Sequence, residues 1–183
     1  MAGLAAAAIV LDFWFAETPA SLRFATDPGF DGRCAARFGT LHRLLSDRVP
    51  DAWATDAQAT LAAIIVLDQF SRNIDRGSGA AFANDAAARA LTEAALVRGD
   101  DAGLDITHRQ FLYMPLMHAE DAAAQAQSLA LFSALGDPDI TTFAERHAAA
   151  IDRFGRFPAR NAALGRMTTA AEAAFLADGN AGF

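Results

Sequence analysis

Residues 61–70, LAAIIVLDQF, are apolar on every side of a helix until Asp68 and Gln69. A helix without a polar face has to be enclosed by other elements, so this segment predicts a central buried helix. The rest of the chain offers helices to enclose it. Alanine dominates, β-branched residues are sparse, and no period-two alternation of strand type occurs; this favours helix almost throughout. A length of 183 residues and a hydrophobic share of 53% fit one full core, so the expected organisation is a single all-helical domain over residues 1–183.

Local signals divide that domain into seven to nine helices packed as antiparallel pairs. The first covers 3–16, and Pro19, Pro28 and Gly29 mark a loop over 17–29. Phe30, Cys34, Phe38, Leu41 and Leu45 form one apolar stripe of a helix from about Phe30 to Arg48. Thr55 with Gln58 reads as a capping box opening the central helix, which ends near Arg72 or Asn73. A helix over about 84–98 stops at Gly99, and one over 106–114 meets Pro115, where a kink or restart is expected. Glu120 and Asp121 suit the first turn of a helix reaching about Leu135. Asp137-Pro138 opens another to about Phe154, and Thr169 with Glu172 forms a capping box for the last.

Composition excludes several chemistries. All 15 basic residues are arginine. Without an amine there is no Walker-type phosphate loop, no Schiff base and no pyridoxal phosphate lysine. The lone Cys34 rules out disulfide frameworks and thiolate zinc sites, and among helix formers it reads as a buried inert thiol. A net charge of −7 argues against a nucleic-acid surface. The N-terminal MAGLAAAAIVLDFWF lacks a positive start, is interrupted by Asp12 and is too short to span a bilayer, so a cytoplasmic protein with no membrane partner is expected. Ser78 in RGSGA lacks the spacing of a nucleophile elbow. No cofactor or metal is implied.

Polar residues concentrate in three places. Asp68, Gln69, Arg72 and Asn73 close the most apolar helix, where ionised groups need partners; Asp68 and Arg72 can pair four residues apart, and Gln69 and Asn73 share the adjacent face. In YMPLMHAED, residues 113–121, Tyr113, His118, Glu120 and Asp121 surround a proline bend. His118 and Asp121 can face the same way, as a capping pair, as a weakly signalled pair of metal ligands or as a tuned base. His147 and Asp152, five apart, diverge by about 140°. His42 and His108 stand alone and read as structural or exposed.

The third place is RFGRFPARNAALGR, residues 153–166, which carries four arginines and no acid and leaves the remaining residues at −11. Its guanidiniums can complete Asp12, Asp68, Glu120 and Asp121 as a stapled network, can leave Arg156 and Arg160, held by Phe157 and Pro158, as open forks for a carboxylate or phosphate, or can do both; an exposed solvated loop is a third reading, disfavoured by the Phe154 and Phe157 flanks.

VLDFWF at 10–15, LDQFSRN at 67–73, YMPLMHAED at 113–121, RFGRFPARNAALGR at 153–166 and the final Thr169, Glu172 and Phe175-Leu176 together resemble a bacterial family catalogued as domain of unknown function 924, grouped with tetratricopeptide-like helical folds. The resemblance runs nearly end to end. It implies an all-α, tetratricopeptide-like superhelix with converging polar motifs, and no established activity. Two positions depart from the family pattern: Ala159 stands where FPHRN has histidine, and Ser71 where DQFPRN has proline. A mechanism needing a histidine at 159 is thereby put out of reach.

The first expectation for function is therefore binding of a small anionic metabolite or peptide carboxylate by Arg72, Arg156, Arg160 and Asn161, with Asp68, Gln69 and Tyr113 in the site and Tyr113 or Trp53 as an apolar wall. Alternatives are an interaction module holding a peptide in a helical groove, and an acid–base or metal-assisted hydrolase using His118, Glu120 and Asp121.

Overall fold

Aspartates start most of the long helices. The computed structural model describes residues 2–179, and among them are eight helices of eight residues or more and no strand. These are α1 (Ala2–Leu11), α2 (Pro28–Asp47), α3 (Ala57–Ile64), α4 (Asp85–Arg98), α5 (Ile106–Met117), α6 (Ala122–Ala134), α7 (Pro138–Phe154) and α8 (Ala170–Ala177). Asp27, Asp56, Asp121 and Asp137 each accept a backbone N–H of the first turn that has no partner within the helix. Thr169 and Glu172 close the expected capping box on α8. Gly99 ends α4 in the left-handed region, at φ 73°.

Three local expectations shift. Thr55 does not cap α3: it ends a short helix, Asp51–Thr55, and donates to Asp51 O, so the cap passes to Asp56, whose Oδ1 accepts from Ala59 N at 2.9 Å. The loop after α1 contains a helical turn, Ala20–Arg23. Pro115 neither breaks nor restarts α5: the helix continues to Met117, although a proline cannot donate the N–H that would bond Phe111 O. The C-terminal end of α5 is closed by Gln125, whose Nε2 donates to Met117 O and Ala119 O at 2.8 Å each.

Both α1 and α3 leave α-helical geometry at their C-terminal ends. Asp12–Glu17 and Ile65–Phe70 are π-helical, and after the second stretch Ser71–Ile74 returns to α. Each π-helical stretch overlaps a copy of the same four residues: Ile-Val-Leu-Asp occurs at 9–12 and again at 65–68. Such widened turns are rare and collect at functional sites. The wide end of the first is closed by Arg23, which donates to Trp14 O, Phe15 O and Thr18 O at 2.9, 2.9 and 3.1 Å.

The chain forms two compact units, Met1–Arg76 with Ala80–Leu112, and Gly77–Gly79 with Tyr113–Phe183. In the first, every residue from Ala59 to Ser71 is buried, as an all-apolar helix requires. Around it Phe13, Trp14, Phe30, Phe38, Phe70 and Phe111 interlock, with Trp14 edge-on to Phe70 and Phe111 at 5.6 and 5.4 Å. Each such pair adds roughly 0.5–1.5 kcal/mol to the area it buries. In the second, α6 and α7 pack together, Phe132 meets Tyr113, and Phe175 of α8 closes on Phe154 at 5.1 Å. Gly79 joins this unit because it lies against the chain at Ala163, whose O would be 3.1 Å from an added Cβ. No described helix is long and apolar enough to cross a membrane.

Candidate functional site

The arginine stretch begins where Gly155, at φ 67°, turns the chain out of α7, and it passes through one 3₁₀ turn, Pro158–Arg160. Arg156 forks Glu172, with Nε to Oε1 at 2.7 Å and Nη2 to Oε2 at 3.0 Å, and also reaches Met167 O. Glu172 accepts further from Thr169 N and Asn161 Nδ2. The Arg156 bonds, then the Thr169 N–H, hold its carboxyl down at about 2. Arg166 forks Glu120 at 2.7 and 2.9 Å, and Phe157 N donates to the same carboxylate at 2.7 Å. Burial works against ionising Glu120, yet the bonds from Arg166 and Phe157 keep its carboxyl below the usual range. Arg160, only 5% exposed, donates to His118 O at 2.9 Å and lies 4.6 Å over the Phe157 ring. Arg153 rests on Phe154 and Phe175. These guanidiniums pin residues 153–166 to the segment before α6 and to α8.

The remaining candidates of the second unit are bound into the same framework. Asp121 caps α6 through Ala124 N at 2.8 Å, so Glu120 lies ahead of the helix rather than in its first turn. The His118 ring lies 6.0 Å from that of His147, whose Nδ1 donates to Phe143 O at 2.7 Å. Tyr113 is buried.

Asp68, Gln69, Arg72 and Trp53 belong to the first unit. Asp68 is 1% exposed; it accepts from Gln69 Nε2 at 2.6 Å and lies 3.0 Å from Arg72 Nη1. Arg72 also donates to Asp68 O and forks Asp85 at 3.0 and 3.2 Å. Burial disfavours the guanidinium's charge, but Asp68 and then Asp85 outweigh it and raise its affinity for the proton. Asn73 turns to Asp31, which Arg76 forks at 2.6 and 2.8 Å. Gln69 and Asn73 thus bond to different carboxylates. Trp53 is buried, and its O accepts from Thr60 Oγ1. Asp12 is exposed. Among the described residues no group of three or more His, Cys, Asp or Glu side chains could hold a metal ion.

Two features carry no signal in the sequence. One is a buried polar knot around His42, whose Nε2 is 2.8 Å from Ser71 Oγ. Ser71 donates to Leu67 O at 2.6 Å, so the imidazole must carry its proton on Nε2 and donate to the hydroxyl. Asn84 Nδ2 donates to Ser46 Oγ and Ser71 Oγ. Ser71 is fully buried with its proton on a carbonyl, so this pair is a bracket, not a nucleophile and base. The other is an open groove of about 510 Å³ lined by Phe13, Glu17, Thr18, Arg33, Ala36 and Arg37. Arg33 and Arg37 stand one turn apart on α2. Arg37 forks Glu17, with one bond at 2.9 Å, and lies over Phe13 and Phe38 at 5.0 and 5.4 Å. Arg33 lies over Phe30 at 5.3 Å and makes no hydrogen bond or ion pair among the described residues.

Residues 10–180 match the family described as "Bacterial protein of unknown function (DUF924)". The chain belongs to that family. Consistent with this, the structure of a protein of unknown function from Agrobacterium tumefaciens superposes with a TM-score of 0.90 at 38% identity, covering 96% of this chain and 98% of that one. No curated protein matches the chain. The family and its solved relative thus support the all-α fold, and for this member the chemistry has to be argued from its own side chains.

Proposed function

We propose that this family member is a binding protein for a small anionic molecule, and that the groove beside Arg33 and Arg37 receives it. The observation that carries the reading is the contrast between guanidiniums. Arg72, Arg156 and Arg166 each fork a carboxylate of their own unit, so an anion there would have to displace a partner held by several bonds. Arg33 faces a groove of about 510 Å³ with its donors uncommitted among the described residues. A groove of that size suits a metabolite or the end of a peptide. In this reading Arg72, Arg156, Arg160 and Asn161 are the framework. Binding is favoured over acid–base chemistry because Glu120 and Asp121 are each engaged in closing backbone N–H groups.

The test is a thermal-shift screen of phosphates and carboxylates against wild type, Arg33→Ala and Arg156→Ala. Stabilisation of wild type and of Arg156→Ala, abolished in Arg33→Ala, is the expected pattern. Stabilisation that survives Arg33→Ala refutes the groove.

A further inference from the structure

We infer that Glu17 is a built-in competitor for the groove and that the natural occupant carries a dianionic group, either a phosphoryl group or a pair of carboxylates. This rests on the binding reading above and adds what the site selects.

The starting point is that Arg37 does not need Glu17 to stay in place. Its guanidinium lies over Phe13 and Phe38, and Arg33 lies over Phe30; all three rings are buried. Both cations are therefore fixed from behind by aromatic faces. Glu17 meets Arg37 from the solvent side. The two side chains are 43% and 40% exposed, and ion pairs this open contribute little to stability. The backbone under Glu17 is also held independently: Thr18 Oγ1 donates to Phe13 O at 2.7 Å, and Arg23 closes the carbonyls of Trp14, Phe15 and Thr18. The side chain of Glu17 can therefore swing away while the backbone beneath it stays fixed.

Charge then decides what can replace it. The resting groove holds two guanidiniums and one carboxylate. A monocarboxylate offers Arg37 the same fork that Glu17 already offers, and Glu17 has the advantage of being tethered at high effective concentration. A dianion can satisfy Arg37 and also engage Arg33, which Glu17 leaves uncommitted. Planar guanidinium forks accept carboxylate and phosphate oxygens alike. The groove thus favours double charges over single ones, because only a dianion gains Arg33 as well as Arg37.

Calorimetric titration of inorganic phosphate, succinate and acetate into wild type, Glu17→Gln and Arg33→Ala tests this. Wild type should bind phosphate or succinate at least about ten-fold more tightly than acetate, with the tighter of the two naming the class. Glu17→Gln should bind that dianion about two- to five-fold more tightly, the factor an exposed ion pair supplies, and Arg33→Ala should bind it at least about ten-fold more weakly. Both substitutions are at the surface, and an unchanged circular dichroism spectrum checks the fold. If Arg33→Ala binds the dianion as wild type does, the groove reading itself fails. If Arg33→Ala loses binding but Glu17→Gln gains none, or wild type binds acetate as tightly as the dianion, the groove stands and the competitor is overturned. Binding of neither dianion to Glu17→Gln overturns both.

Discussion

Arg160→Ala should cost the protein about 3 kcal/mol of stability in the absence of any added anion. The side chain is almost wholly buried, donates to His118 O at 2.9 Å and lies 4.6 Å over Phe157. A charged hydrogen bond of this kind contributes ~2 kcal/mol, a desolvated guanidinium over a ring ~1.5 kcal/mol, and the buried aliphatic stem ~1.5 kcal/mol. Truncation returns ~2 kcal/mol of side-chain entropy. Removing the cation also withdraws one of the charges that keeps Glu120 ionised, which acts in the same direction. Arg33→Ala is the matched control: an exposed guanidinium without a hydrogen bond should change stability by less than about 0.5 kcal/mol. Urea titrations followed by circular dichroism measure both, with the slope checked for constancy so that the midpoint shift reads as stability. A loss below about 1 kcal/mol for Arg160→Ala, or a comparable loss for Arg33→Ala, would refute the division into framework and open arginines.

Two pH profiles follow from the same contacts. Glu172 titrates at about 2 in the folded protein against an ordinary 4.5, so its contribution is fully present above 4.5 and is lost as pH falls toward 2; Glu172→Gln should start less stable at pH 6 and show a flatter urea-midpoint profile between pH 5 and 3. Burial, opposed by Asp75 and aided by Arg43, pulls the His42 imidazole below its ordinary 6.5. The folded state therefore resists protonation and stability falls as pH drops below 6.5, so the midpoint loss from pH 7.5 to 5.5 should be smaller in His42→Gln than in wild type.

The helical skeleton was readable because its signals are local. Asp137-Pro138, Gly99 and the Thr169–Glu172 box act within four residues, and the all-apolar run at 61–67 has one physical outcome. Thr55 and Asp56 show the limit: both side chains can cap, and the choice depends on a short preceding helix that claims Thr55. The π-helical turns escape hydrophobic periodicity altogether, since an extra residue per turn changes register without changing composition. Long-range pairings were unreadable for a different reason. Arg166 and Glu120 are 46 positions apart, and Arg76 and Asp31 are 45 apart; nothing in either segment names the other. Arg33 and Arg37 look like ordinary surface arginines of a helix until Phe13 and Glu17 are placed across from them.

The absence of lysine acquires a physical meaning from these pairings. Arg37–Glu17, Arg72–Asp85, Arg76–Asp31, Arg156–Glu172 and Arg166–Glu120 all engage both oxygens of the carboxylate through two guanidinium nitrogens. An ammonium is a point charge and cannot reproduce that fork; a lysine in place of Arg156 or Arg166 would keep the charge and lose the geometry that orients the loop. Arginine also lies over aromatic rings, as Arg37 does over Phe13 and Phe38 and Arg160 does over Phe157. A chain that joins distant segments by bidentate pairs, two of them (Arg37 and Arg72) with a ring beside the guanidinium, has reason to use arginine there. Arg33 has the ring behind it and no carboxylate in front among the described residues. It shares the ring contact of its neighbour Arg37 with the anion left to be supplied, which is why the search for a ligand belongs at that groove.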